Sequence, residues 1–395
     1  MEATSGATRR AQAACVMLSR VRILVVVTRY PVPSSRGDQQ RAYSWICELA
    51  RRHSVSVVTA ATPVDDRLDG GLPANVKIIS VSAGPLGRAL SAISSGVRGA
   101  PLQVGWMMPA RTWRAAVKAM DEADVMLAMT TRSLRRRPTC ALVIDHVDAL
   151  SLNMLRRSRG PETPFIRAFV RFEAWRFAAW ERRTAGWAQG ALVTAGEDAD
   201  ALPSRPEAVI VPVGLDRIDP SWACCTDRPI DVVLSGHMRY PPNRQAALML
   251  EREILPLLRL RREGLRIAVA GRGADTLGLR GVEVMADVPD MLAVLRRAKV
   301  AIVPLQGGTG SPYKVLEAAA SGAAIVSSPW PAARFGIAAR IASTAEEYCD
   351  AILELLDHPQ ARQALVADAQ GALERHLTSH LCAVVERVLL TALER

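Results

Sequence analysis

The sequence has no GxGxxG fingerprint, no CxxC pair and no His/Cys spacing suited to a metal. The first absence argues against a dinucleotide cofactor, and the other two against a redox or metal centre. No apolar run approaches the length that spans a bilayer. Aromatics are only 5% of the chain and no nucleic-acid motif is visible, so nucleic acid is not expected as a partner. There is no low-complexity tract, and no internal repeat beyond two similar α/β halves. The seven cysteines are an odd, scattered set, which fits a reducing cytoplasm. Adjacent Cys224 and Cys225 read as linker residues and not as a redox pair.

What is present describes a globular α/β protein. A length of 395 residues favours two domains, with 49% hydrophobic and 23% charged residues. Lys and Arg total 50 against 39 Asp and Glu, a net charge of +11 that favours anionic partners such as a nucleotide or a phosphorylated lipid. Residues 1–20 lack a continuous apolar core and read as a disordered lead, with Met17 a second candidate start. A first domain is expected over residues 21–216, a linker over 217–228, a second domain over 229–375 and a C-terminal helix over 376–395.

The chain is organised around Ala298–Ser328. Ala298–Leu305 is a β-branched apolar run, hence a buried strand. A loop containing Gly308, Thr309 and Gly310 follows. Ser311 is placed as a helix N-cap and Pro312 as the first helical residue. The helix runs to Ser321, Gly322 stops it, and Ala323–Val326 begins another strand. Free N–H groups at Tyr313 and Lys314 favour an anion, Lys314 adds a positive charge, and Glu317 lies three residues on along the same face. Phosphates on the amides and a ribose on the carboxylate would suit a nucleoside diphosphate. The plain alternative is a surface Lys314–Glu317 pair beside a tight turn.

Other segments repeat the strand–loop–helix theme. Val21–Thr28 is a first buried strand. Arg29–Gln40 reads as a loop in which Gly37 either lets backbone amides approach a substrate or serves only a turn, ahead of a helix over Arg41–Arg52. Cys140–Ile144 is a strand, and Asp145, His146 and Asp148 follow at its carboxyl end, placed to position hydroxyls or shuttle a proton. The alternative is a loop end capping the next helix. Pro164–Trp187 is rich in Arg, Phe and Trp. Trp175 and Trp180 would either lie on an anionic membrane or pack on their own sheet. Asp198 and Asp200 resemble a short metal-holding pattern but belong in a helix start, so that reading is set aside. In the second half, Ile230–Ser235 is a strand, Arg239 and Arg244 in the following loop suit a diphosphate, and Leu265–Gly271 runs into Arg272. After Ala345 the chain reads as helical to its end.

Taken together, RILVVVTRYPVPSSRGDQQRAY, VIDHVDALSLN, FEAWRFAAWERR, VPVGLD, SGHMRYPPNRQAA and PLQGGTGSPYKVLEAAASGAAIVSSP resemble glycosyltransferase family 4. That family comprises retaining enzymes of GT-B architecture. The nearest branch is that of sugar transferases associated with exopolysaccharide and PEP-CTERM protein-sorting systems. The resemblance implies two Rossmann-like domains facing across a cleft, with C-terminal helices returning toward the first. It implies a cytosolic or membrane-peripheral enzyme that needs no metal for chemistry and holds its donor mainly on the second domain. Glu317 matches the family's ribose-binding glutamate, the amides around Tyr313 and Lys314 its phosphate site, and Gly37 its first-domain glycine loop. Two positions depart. Thr309 stands where the family often has a second glutamate, eight residues before Glu317. His237 and Pro242 occupy the spacings of its diphosphate-gripping Arg and Lys, so Arg239, Arg244, Arg272 or Lys314 would have to compensate.

The expected activity is therefore sugar transfer from a nucleoside-diphosphate donor to a hydroxyl acceptor with retained configuration. The donor would lie among Gly37, His237, Arg239, Arg244, Gly271, Arg272, Gly308, Thr309, Gly310, Ser311, Tyr313, Lys314 and Glu317. Lys314, His146 and Asp145 are the candidate catalytic groups. No cofactor is expected beyond the donor. Acceptors to weigh are a glycan, a lipid-linked glycan or a small natural product. The rival functions are a nucleotide-sugar epimerase of the same layout and a degenerate nucleotide-binding assembly subunit.

Overall fold

The computed structural model describes residues 20–32, 37–60, 71–159, 163–216, 227–306 and 312–395. The expectations for the N-terminal lead, most of the linker and Gly308–Ser311 lie outside the described residues. The chain divides into two compact units, residues 1–214 with 378–395, and residues 215–377. Each is an α/β unit built on a parallel sheet, as the strand and helix patterns implied.

In the first unit the strands are β1 (Arg22–Val27), β2 (Ser54–Thr59), β3 (Lys77–Ser80), β4 (Val125–Met129), β5 (Ala141–Asp145), β6 (Gly190–Val193) and β7 (Ala208–Ile210). Their order is β3-β2-β1-β4-β5-β6-β7. Val25 pairs with Val57 on one side and Leu127 on the other, and Leu127 with Val143. These strands carry apolar side chains on both faces because helices cover both. The last helix, Thr378–Leu393, packs Leu381, Val385 and Leu389 into this core, so the chain's end returns to the unit in which it began.

The second unit holds β8 (Ile230–Ser235), β9 (Ile267–Ala270), β10 (Glu283–Met285), β11 (Ala298–Val303), β12 (Ala324–Ser327) and β13 (Arg340–Ile341), in the order β10-β9-β8-β11-β12-β13. The strand order therefore reverses between β8 and β11. In open parallel sheets, ligands bind beyond the carboxyl ends of the strands at such a reversal.

Three local expectations change. The helix expected over Arg41–Arg52 is Gly37–Leu49, because Asp38 favours the first turn and Gln39 anchors it by donating to Tyr30 O at 2.7 Å. Gly37 thus opens a helix and does not sit within a loop. The helix expected to begin at Pro312 is Lys314–Ala320, entered through Tyr313, with Val315 N bonding back to Pro312 O. The C-terminal stretch is not one run: helices Ala345–Asp357, Pro359–Gly371 and Thr378–Leu393 are separated, the first break falling where Pro359 opens a new helix. Among the described residues no helix is long and apolar enough to cross a membrane.

Candidate functional site

In the second unit, the end of β8 and the helix that follows it meet one side chain from the helix that follows β11. Lys314 follows β11, and its Nζ donates to Ser235 O, the end of β8, at 2.6 Å and to Asn243 Oδ1 at 2.8 Å. The ammonium therefore bridges the point where the strand order reverses. An ammonium has three donors. Among the described residues two are used, and one is left for an incoming anion.

Asn243 is the member of this site that sequence reasoning missed. It is buried, and its Nδ2 donates to His237 O at 3.0 Å while its Oδ1 holds Lys314. One amide thus fixes both the loop after β8 and the ammonium. The signal was present in the run Pro241–Arg244, where a polar residue faces inward one turn into a helix that begins with proline.

The backbone leaves no room for larger residues here. Gly236 has φ +149°, and a Cβ on it would lie 2.8 Å from Lys314 Nζ. Gly271 has φ +128°, and a Cβ there would lie 2.1 Å from Gly236 O. Gly236 N bonds Ala270 O and Met238 N bonds Arg272 O, so the two loops are laced together at the mouth of the sheet.

Electrostatics at the site follow from burial. Burial pushes Lys314 down to about 8 against the pull of Glu317, and pushes Glu317 up to about 7 against the pull of Lys314. Both groups thus change charge close to neutral pH. Burial also raises the Tyr313 hydroxyl, with the Glu317 and Asp216 charges adding to it, so it stays protonated. His237, Arg239, Arg244 and Arg272 are exposed on the same loops, Arg272 lying 3.8 Å from Asp287.

The first unit treats its candidates differently. Asp145 is fully buried. Its Oδ2 accepts from Arg41 Nε at 2.7 Å and Trp45 Nε1 at 2.9 Å, and its Oδ1 from Val147 N at 3.0 Å. Three of the roughly four acceptor positions of its carboxylate are thereby taken by structural donors. His146 is buried too, lining a small apolar void with Ile144, Leu202 and Pro203. Desolvation lowers it to about 4, so it is neutral at pH 7 and turned away from solvent. Among the described residues, a Cβ on Gly37 would meet nothing within 4 Å.

The same end of this sheet shows what sequence did not. Thr130 and Val147, after β4 and β5, hold φ of 65° and 62°, strained for residues with a Cβ. Arg132, just beyond, donates from Nε to Gln103 Oε1 at 3.0 Å and lies over the Phe177 ring. Burial, and then the Arg29 charge, bring it down to about 10.

His146 carries a stability prediction. Its folded value lies below the unfolded one, so between about pH 4 and 6.5 the unfolded chain binds more protons. Its contribution is fully present above pH 6.5 and is lost as the pH falls, to about 3 kcal/mol near pH 4. Urea unfolding of wild type and His146→Leu across this range should show the flatter profile for the variant. Parallel profiles would sink the assignment.

Residues 229–358 match the family described as Glycosyl transferases group 1. Comparison with curated proteins gives no match. Among solved structures, the chain is similar to HepE of Anabaena, solved in complex with UDP and glucose, at 14% identity and TM-score 0.63, over 94% of this chain and 99% of that one. It is similar to WaaG, a glycosyltransferase involved in lipopolysaccharide biosynthesis, at 16% identity and TM-score 0.63, over 93% and 99%. It is also similar to the glycotransferase of kitacinnamycin, at 19% identity and TM-score 0.53, over 94% and 100%. These likenesses establish a shared fold.

Proposed function

With the fold of the GT-B glycosyltransferases and a second unit that matches their group 1 family as the premise, we propose that the protein moves a sugar from a nucleoside-diphosphate donor to a hydroxyl acceptor, retaining the anomeric configuration. The observation that carries this reading is the Lys314 ammonium, held by Ser235 O and Asn243 at the strand reversal. HepE has been solved with UDP and with UDP-glucose, which supports a nucleotide sugar as donor.

Each residue then has a task. Lys314 stabilises the charge that grows on the departing diphosphate. The Glu317 carboxylate accepts two ribose hydroxyl protons. His237, Arg239, Arg244 and Arg272 line the diphosphate and sugar, and Gly236 and Gly271 let backbone come close. Asp145 and His146 are withdrawn from the chemistry by burial. That favours front-face attack, in which the leaving diphosphate takes the acceptor's proton and no protein nucleophile is needed. No metal or cofactor is required by this scheme. The acceptor side falls to the first unit, where Arg132 and the strained positions Thr130 and Val147 lie just beyond β4 and β5.

A screen of nucleotide sugars for diphosphate release tests the reading. Glu317→Gln should raise the donor KM by about tenfold or more, since a charge-assisted hydrogen bond is lost, with kcat changed much less. An isomeric nucleotide sugar formed from donor alone would mark an epimerase. Nucleotide binding without diphosphate release under any acceptor would mark a binding subunit.

A further inference from the structure

One helix of the first unit is built inside out. In Pro85–Val97, Leu86, Leu90, Ile93 and Val97 recur at intervals of four, three and four residues, a single stripe down one face. A helix on a soluble domain turns such a stripe inward. Here the four are 74%, 60%, 60% and 85% exposed, while Ser91 and Ser95 are buried. Packing explains the orientation. A Cβ on Gly105 would lie 2.0 Å from Ser91 O, so the neighbouring helix Leu102–Met107 meets the serine face backbone to backbone, which only small residues permit.

A second helix extends this surface. Pro164–Ala185 exposes Phe165, Phe169, Phe172 and Trp175 along its first half. It is tied to the end of the first helix through Arg176 Nη2, which donates to Gly96 O at 2.7 Å and Ala100 O at 2.5 Å. Leu102 N donates to Glu173 Oε1 at 3.2 Å. Of the two positions the sequence leaves open for Trp180, the packed one is found: it is buried and donates to Thr131 O at 3.1 Å.

Among the described residues of these two helices, exposed charge has one sign. Residues 71–120 contain no Asp or Glu. The two acids of the second helix, Glu173 and Glu181, are both buried. Arg98, Arg167 and Arg171 are exposed around the apolar stripes.

We propose that this face docks on an anionic lipid bilayer. Apolar and aromatic side chains enter the region between headgroups and acyl chains, and the arginines meet lipid phosphates. Trp175 suits the polar boundary of such a layer. A second copy of the chain is a poorer occupant, because two faces carrying only arginines would repel one another.

Sedimentation of the full-length protein with vesicles tests this without any donor or acceptor, so its outcome is independent of the transferase reading. The protein should sediment with phosphatidylcholine vesicles that contain phosphatidylglycerol, much less with phosphatidylcholine alone, and less as salt rises. A Leu90→Ser/Ile93→Ser/Phe169→Ser variant should bind at least about tenfold more weakly at unchanged Tm, since every altered side chain is exposed. Arg98→Glu/Arg171→Glu should remove the preference for the anionic lipid. Absence of vesicle binding, equal binding by the triple variant, or a dimer in solution that the triple variant dissolves would each overturn the proposal.

Discussion

Lys314→Ala is expected to lower turnover by about a hundred- to a thousand-fold, the usual cost of removing one electrostatic donor from a developing anion. Two features of the site set that scale. The ammonium is held by Ser235 O and Asn243 Oδ1, so it need not reorganise when charge develops. It is also desolvated, which is why it sits down at about 8 and why its field acts at low local dielectric. The same burial shapes the pH profile. On the proposed reading, donor binding needs Glu317 ionised, above about 7, and Lys314 protonated, below about 8. The kcat/KM for donor should therefore peak in that narrow interval and fall on both sides. In Glu317→Gln the acid limb should disappear while the alkaline limb stays. A variant at Lys314 with wild-type kcat would remove the ammonium from the mechanism.

The second large effect is on stability. Arg41→Leu is expected to destabilise the protein by about 3–5 kcal/mol, because it leaves a buried charge without its partner. Arg41 and Asp145 are each almost inaccessible to solvent, at 2% and 0% exposure. Arg41 also donates from Nη1 to Val211 O at 2.7 Å and Pro212 O at 3.2 Å, and stacks over Trp45. Losing it strands the Asp145 carboxylate with the Trp45 and Val147 N–H groups and unpairs two carbonyls. Asp145→Leu strands the guanidinium in the same way. The double variant Arg41→Leu/Asp145→Leu removes both charges, so it should lose less stability than the sum of the single changes. Urea denaturation of the four proteins measures this, and strict additivity would show that the pair is not coupled. Stability and not transfer is the readout, because this pair joins the helix Gly37–Leu49 to the end of β5.

Much of the architecture could be read from short runs. Ile230–Ser235 and Val125–Met129 carry strand patterns that end where the strands end. Apolar β-branched runs of this length have few alternatives once the flanking turns are fixed. The loop around Gly37 was harder. Two prolines, two serines and a glycine look like a coil, yet the helix begins at Gly37, since the turn is completed by the Gln39 bond to Tyr30 O and the pairing of Asp38 with Arg29.

Site residues divide by the same logic. Lys314 and Glu317 were visible because helix spacing puts them on one face. Asn243 was not, because its partner Lys314 is 71 residues away and only the crossing of β8 and β11 brings them together. Asp145 and His146 were placed at the right end of the right strand. Their burial depends on Arg41, 104 residues earlier, and on the loop around Leu202 and Pro203.

The sequence by itself determined the two α/β units, most of the strands, and a lysine and a glutamate on one face after β11, because each of these depends on neighbours a few residues apart. Tertiary structure alone decided which polar groups are spent inside the protein and which face of Pro85–Val97 meets water. Those outcomes depend on what each surface packs against, and in that helix a backbone contact at Ser91 outweighs the pull of four aliphatic side chains toward the core.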